Sequence, residues 1–139
     1  MMMKRFLLCL IVFAGCAGSK DPSLTSPEGN WSYITPDGKI AVTFEVAKTS
    51  ANVFDIKNQT MKLNDVSVNA EKEVVGFTTT SIEKLRINAN DSKATYPYSI
   101  VFNNGTISSD FKTISVPTTT YTYPWGTTVS LSSITITRF

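Results

Sequence analysis

The chain has 139 residues, with 13 basic and 11 acidic side chains and no histidine. This near balance of charge argues against a nucleic-acid-binding protein, which needs a clustered positive field. The lack of histidine excludes Ser-His-Asp and Cys-His catalysis and removes the commonest metal ligand. We therefore predict no metal site, no cofactor and no catalytic residue.

The first sixteen residues have the composition of a secretion signal. Residues 1–5 are short and cationic, residues 6–13 form an unbroken apolar run, and the small residues Ala14 and Gly15 precede Cys16. The apolar run is too short to cross the roughly 30 Å of bilayer hydrocarbon. This order of segments is typical of a signal peptide rather than of a membrane span.

The motif Phe13-Ala14-Gly15-Cys16 resembles the lipobox of bacterial lipoproteins. That resemblance implies cleavage before Cys16, lipidation of its sulfur and amine, and a partner in the membrane through this anchor. It also implies attachment to the bacterial outer membrane, either on the cell surface or on the periplasmic face. The alternative is a plain secretory peptide that is cut after Ala17.

The predicted organisation is a signal peptide (1–15), a lipidated cysteine with a flexible tether (16–28) and a single β-domain (29–139). Residues 22–28 are rich in Pro and Ser and have no periodicity, as expected of a tether. Lys4 and Arg5 are two of the 13 basic residues, so the remaining chain carries eleven side chains of each sign. Only Cys16 would remain after cleavage, so no internal disulfide is expected.

Alternation of apolar and polar residues dominates the domain. Ile40, Val42, Phe44 and Val46 give the clearest example, because they fall on one face of an extended segment. Eight or nine strands of this kind are predicted, with turn signals between them and no convincing helix. Among these signals, Asn103-Asn104-Gly105 predicts a two-residue hairpin turn.

This pattern predicts an all-β fold, either an antiparallel β-sandwich of the immunoglobulin-like or a related type or a small up-and-down barrel. The sandwich is the first expectation, since Trp31 could fill its core. However, Gly29-Asn30-Trp31 resembles the Gly-x-Trp of the first strand of lipocalins. Lipocalins also carry a late arginine that packs on this tryptophan, and Arg138 lies in the last predicted strand. The resemblance therefore implies a barrel.

Two groups of aromatic residues are candidates for a ligand-binding surface. Tyr121, Tyr123 and Trp125 are spaced by two, as are Tyr96 and Tyr98, so each group lies on one side of an extended chain. If exposed and adjacent, the rings would form a platform on which sugars could stack. The alternative is that the rings pack in the core, as large aromatics do in small domains.

These features favour a non-enzymatic binding or adhesion module on the cell surface, with a glycan or a surface protein as its partner. A lipocalin-like carrier of a small apolar ligand is the alternative. A glycoside hydrolase that uses two carboxylates is less favoured, because the aspartates lie mostly beside turn residues, where they cap backbone N–H groups.

Overall fold

The computed structural model describes residues 23–89 and 98–139. This part of the chain contains nine β-strands and no helix, and therefore no helix that could span a membrane. The all-β prediction is confirmed. The strands are β1 (Gly29–Ile34), β2 (Ile40–Ser50), β3 (Val53–Leu63), β4 (Val66–Val68), β5 (Ala70–Phe77), β6 (Ser81–Ala89), β7 (Ser99–Ile107), β8 (Thr113–Thr122) and β9 (Thr128–Arg138).

All nine strands belong to one antiparallel sheet, in the order β4-β3-β2-β1-β9-β8-β7-β6-β5. Most strands pair with their neighbours in the chain, and β1 also pairs with β9 through Trp31–Arg138 and Ser32–Thr137. This is the connectivity of an up-and-down barrel. A sandwich would need two sheets. Of the two predicted arrangements, the fold therefore matches the barrel.

The ring of strands is nearly closed where β4 runs into β5. These strands are separated by one residue, and the chain changes its partner there from β3 to β6. Side chains bridge the remaining seam between β3 and β5: Gln59 Nε2 donates to Ala70 O at 3.1 Å, and Lys72 Nζ lies 2.6 Å from Asp55 Oδ2. The seam is therefore held by side chains rather than by a ladder of backbone hydrogen bonds.

One end of the barrel, here called the N-terminal end, is covered by the segment that precedes β1. The Trp31 side chain is fully buried, and its Nε1 donates to Pro27 O at 2.9 Å. The guanidinium of Arg138 lies 5.9 Å from the centre of the Trp31 ring and donates to Ser26 O at 3.0 Å. Part of the predicted tether is thus docked on the barrel, with Pro27 buried.

Gly29 makes this packing possible. Its φ is 135°, a conformation that residues with a side chain rarely adopt, and an added Cβ would lie 2.6 Å from an Arg138 guanidinium nitrogen. The glycine, the tryptophan and the arginine therefore form one interlocked unit, in the geometry that the lipocalin resemblance implies.

Large side chains fill the interior of the barrel. The four alternating residues of β2 are at most 2% exposed, as their spacing predicts, and they meet aromatic and branched side chains of the other strands. Tyr33 packs edge-on against Phe102, with ring centres 5.5 Å apart. The largest fully buried side chains are Trp31, Tyr98, Phe44, Phe102, Ile40, Ile56, Met61, Ile82, Leu85, Ile87, Ile100 and Ile114.

A line of paired irregularities crosses the sheet from β5 to β9. On each strand two consecutive residues face outward at the same level, which shifts the inward-facing phase by one position. Such irregularities bend strands sharply, which helps a short sheet to close. The paired residues, in strand order, are Val75-Gly76, Glu83-Lys84, Asn103-Asn104, Pro117-Thr118 and Ser132-Ser133.

This line explains why the hairpin predicted at Asn103-Asn104-Gly105 is wrong. These residues lie inside β7, and only Asn104 has a positive φ (56°), whereas a two-residue hairpin of the predicted type needs two. Strands β6 and β8 pair on both sides of β7, and their ladders outweigh the local turn preference. Two consecutive positive φ values do occur at Asn64-Asp65, in the turn between β3 and β4.

Candidate functional site

The end of the barrel opposite the N-terminal segment, here called the far end, carries the candidate site. The β1–β2 turn (35–39), the β3–β4 turn (64–65) and the β8–β9 turn (123–127) all lie there, because strands of alternating direction return to the same end. Asn64 N donates to Lys39 O at 2.8 Å, which joins two of these turns. Strand β9 connects the two ends over 11 residues, a chain length of about 35 Å.

An aromatic stack leads from the core to the surface at the far end. Tyr121 and Tyr123 are each 5% exposed and meet edge to face, with ring centres 5.2 Å apart. Tyr123 and Trp125 lie nearly parallel at 4.4 Å, and Trp125 is 55% exposed. The three rings therefore share one side of the chain, as their spacing predicts, but only the last of them reaches solvent.

The turn that carries Trp125 fixes its orientation. Gly126 N donates to Tyr123 O at 2.9 Å, and Tyr123 N donates to Thr127 O at 2.9 Å, so the chain reverses tightly at Pro124 and Trp125. Gly126 has a φ of 89°, which suits glycine at this point of the turn. The indole consequently folds back onto Tyr123, and its opposite face is left open.

Asp37 anchors the stack to the β1–β2 turn. Its carboxylate accepts hydrogen bonds from Thr35 Oγ1 at 2.6 Å, from Lys39 N at 3.0 Å and from the hydroxyl of Tyr123. Gly38 closes the same turn with a φ of 70° and donates to Thr35 O at 2.8 Å. This turn holds the middle ring of the stack from the side.

The ionisation of this network is fixed near neutral pH. The hydrogen bonds from the hydroxyls of Thr35 and Tyr123 and from Lys39 N lower the pKa of Asp37. Burial, together with the carboxylate of Asp37, raises the pKa of Tyr123. Both groups are moved away from neutrality, so Asp37 remains an acceptor and Tyr123 a donor. A general acid or base needs the opposite, a pKa near the working pH.

Lys39 places a positive charge beside the stack. Its Nζ lies 5.8 Å from the centre of the Tyr123 ring and 5.9 Å from that of Trp125. Since the two rings are 4.4 Å apart, a cation above the open face of Trp125 would be much farther from Tyr123 than from Trp125. The nearly equal distances place the ammonium alongside the stack, and the outer face of the indole stays uncovered.

The predicted site residues fall into three groups. Tyr98, Tyr121 and Tyr123 are buried, so for these rings the packing alternative describes their environment, and Trp125 alone offers an exposed ring. Tyr96 and Cys16 lie outside the described residues. No extended platform of exposed rings is therefore present in the described part of the chain.

Two residues of the site, Asp37 and Lys39, were not among the predicted ones. The sequence places both in a turn, where aspartate ordinarily caps backbone N–H groups. Their contact with a turn 86 residues farther along the chain depends on the closure of the barrel. No local signal in the sequence indicates that contact.

Three grooves elsewhere on the described residues offer less distinctive chemistry. One of 360 Å³ and one of 430 Å³ lie on the outer wall along the line of paired irregularities, and they share Asn104 and Thr106. A third, of 470 Å³, overlies the seam between β3 and β5. Among residues 23–89 and 98–139, no three acidic or cysteine side chains come together as a metal site would require.

The acidic side chains elsewhere act mainly in the local structure. Asp110 accepts from Ser108 Oγ at 2.6 Å and from Lys112 N at 3.1 Å, which caps the β7–β8 turn as its position in the sequence predicts. Asp55 faces Lys72 across the seam. Asp91 lies outside the described residues.

No protein-family model, curated protein or solved structure matches this chain. The function must therefore be argued from the chemistry of its own residues.

Proposed function

We propose that this protein is a lipid-anchored, non-enzymatic binding protein of the bacterial outer membrane, and that it contacts glycans through Trp125 at the far end of the barrel. The observation that carries the proposal is an exposed indole held rigidly on a buried, hydrogen-bonded support. A surface protein is the other partner that the sequence allows.

The anchor is argued from the sequence and is compatible with the position of the N-terminal segment. The lipobox-like residues precede a segment whose last part docks at the N-terminal end of the barrel. Several acyl chains on one cysteine would hold a protein stably, since each buried methylene contributes about 0.8 kcal/mol. Attachment at that end would point Trp125 away from the membrane.

The exposed ring has the properties of a binding residue. Exposed tryptophans are enriched at recognition surfaces because they offer a large amphipathic face. Trp125 is supported by the stack on Tyr123, which is itself held by Asp37. Little conformational freedom would be lost when a ligand covers the free face, so more of the contact energy appears as affinity.

A sugar suits this face better than a fully apolar ligand. The surface beside the ring carries the Lys39 ammonium, which would hydrogen-bond hydroxyl groups at the edge of a pyranose. A carrier of apolar molecules would instead need an empty interior, and large side chains occupy the described inward-facing positions.

Two experiments test the proposal separately. Mass spectrometry of the protein made in a Gram-negative cell tests the anchor, and we expect a mature N-terminus at Cys16 with three acyl chains. An unmodified N-terminus downstream of Cys16 would contradict it.

The second experiment uses a glycan array with the detergent-solubilised, full-length protein. Trp125→Ala should reduce binding by about tenfold or more, as for a central tryptophan of an interface. Phe139→Ala is the control, because Phe139 is also an exposed aromatic ring (72%) but lies at the N-terminal end. The proposal fails if the wild type binds no glycan, or if the two variants behave alike.

A further inference from the structure

We propose that the ligand recognised at Trp125 is an acidic sugar, with a carboxylate that pairs with Lys39 while the C–H face of the pyranose lies on the indole. This inference rests on the proposed function and specifies its ligand class. It follows from which groups of the site are still available for a ligand and from where they lie.

The positive charge of the site is available. In the described part of the chain, Lys39 forms no ion pair within 4.0 Å, whereas Lys57, Lys72 and Lys84 each have a carboxylate partner. Its ammonium lies about 6 Å from the centres of two rings and beside them rather than over a face, so it gains little cation–π attraction, which can be supplemented by an anion.

The negative charge of the site, the carboxylate of Asp37, is in contrast already hydrogen-bonded by the protein. Asp37 accepts three hydrogen bonds from the protein, and these bonds lower its pKa and fill most of its acceptor positions. It faces Tyr123 rather than the open face of the indole. A ligand therefore meets, beside an apolar face, a cation that has no ion-pair partner within 4.0 Å in the described structure. Asp37 is exposed and attracts Lys39, but hydrogen bonds from the protein fill most of its acceptor positions.

A uronic acid fits these two features together. Its carboxylate projects from the rim of the pyranose ring, while the ring itself presents a flat C–H face. With that face on Trp125, the pyranose would lie about 3.5–4 Å outside the indole plane, whereas the ammonium lies beside the stack, level with the gap between the two rings. The exposed Lys39 side chain would extend outward to reach the carboxylate. A neutral sugar could make the stacking contact but would leave Lys39 without a partner.

The test compares two oligosaccharides of the same linkage that differ only at C6, where one carries a carboxylate and the other a neutral hydroxymethyl group. Full-length protein in detergent micelles is titrated by calorimetry with a tetramer of galacturonic acid and with a tetramer of galactose, at low and at high salt. The acidic tetramer should bind about fivefold more tightly at low salt, the size expected for a partly exposed ion pair. The difference should shrink as salt increases.

The variants Lys39→Met and Lys62→Met separate a specific contact from general charge. Lys39→Met is unbranched and only one atom shorter, and it should equalise the affinities for the two tetramers without weakening the binding of the neutral one. Lys62 is exposed on β3 close to the far end and serves as the matched control, whose loss should leave the fivefold preference intact.

The possible outcomes distinguish this inference from the proposed function. Equal binding of both tetramers by the wild type, with binding still lost in Trp125→Ala, would overturn the acidic-sugar inference and leave the proposed function in place. An acidic preference that survives Lys39→Met would also overturn it. If neither tetramer nor any array glycan binds in a Trp125-dependent way, the proposed function itself fails.

Discussion

The interlocked unit of Gly29, Trp31 and Arg138 gives the sharpest prediction about stability. In Gly29→Ala, the new Cβ would lie 2.6 Å from the Arg138 guanidinium, so that side chain must leave its place. The backbone strain at a φ of 135° should cost about 1–3 kcal/mol. The displaced arginine also loses its carbonyl partners and its position on the indole.

The stability that is lost when Arg138 is removed can be estimated from its contacts. It donates to Ser26 O at 3.0 Å and to Glu28 O, more weakly to Phe111 O at 3.4 Å, and packs on Trp31. Charged hydrogen bonds contribute about 1.5–3 kcal/mol and cation–π contacts about 0.5–1 kcal/mol, and partial exposure reduces both. We expect Arg138→Ala to destabilise the protein by about 2–3 kcal/mol.

A double-mutant cycle then tests whether the two residues act together. Gly29→Ala should lower the free energy of unfolding by about 3–5 kcal/mol in the wild type. In the Arg138→Ala background only the backbone strain remains, which gives a coupling energy of about 2 kcal/mol. Urea unfolding followed by near-ultraviolet circular dichroism measures it, with Lys57→Ala as a control that breaks a surface ion pair. Additive effects of the two substitutions would refute the interlocked unit.

Three further predictions concern other parts of the barrel. Tyr33→Phe should raise the free energy of unfolding by about 1 kcal/mol, because the buried Tyr33 hydroxyl has no hydrogen-bond partner in the described structure; a clear loss of stability in urea would contradict this. Lys72→Met should speed hydrogen exchange in β5 relative to β8, since Lys72 bridges the seam to Asp55; unchanged exchange would show that the seam does not depend on it. Because the pKa of Asp37 is lowered in the fold, its contribution is present above about pH 4 and is lost as the pH falls further. As the pH is lowered below about 4, the urea concentration at the unfolding midpoint should therefore decrease less steeply in Asp37→Asn than in the wild type. The same pH dependence in both proteins would exclude this contribution of Asp37.

The fold class could be predicted from the sequence because alternation survives in most strands. In β2 the period of two is unbroken, and all four predicted residues are buried. The choice between sandwich and barrel could not be made from alternation, which both folds share. It depends on the pairing of β1 with β9, a contact between residues at opposite ends of the domain.

The paired irregularities could not be recognised from the sequence. At Asn103-Asn104 two outward residues follow each other, which locally breaks the period and imitates a turn. Only the neighbouring strands, each with a matching pair at the same level, show that this is a bend in one continuous sheet. Such a match is a property of the register and cannot be read from one strand.

The candidate site was predicted in part for a similar reason. The spacing of Tyr121, Tyr123 and Trp125 correctly places the rings on one side, but spacing does not indicate which rings the barrel covers. Burial of the two tyrosines follows from the position of the β1–β2 turn against them. The same long-range contact brings Asp37 and Lys39 to the stack.

The most direct test of the central claim uses the two tryptophans as separate reporters. Nuclear magnetic resonance resolves two indole N–H signals, one from the buried Trp31, whose N–H is bonded to Pro27, and one from Trp125. Titration of full-length protein in micelles with the galacturonic acid and galactose tetramers should move the Trp125 signal and leave that of Trp31 in place. Saturating binding of either tetramer that leaves the Trp125 signal fixed would contradict glycan recognition at the far end of the barrel.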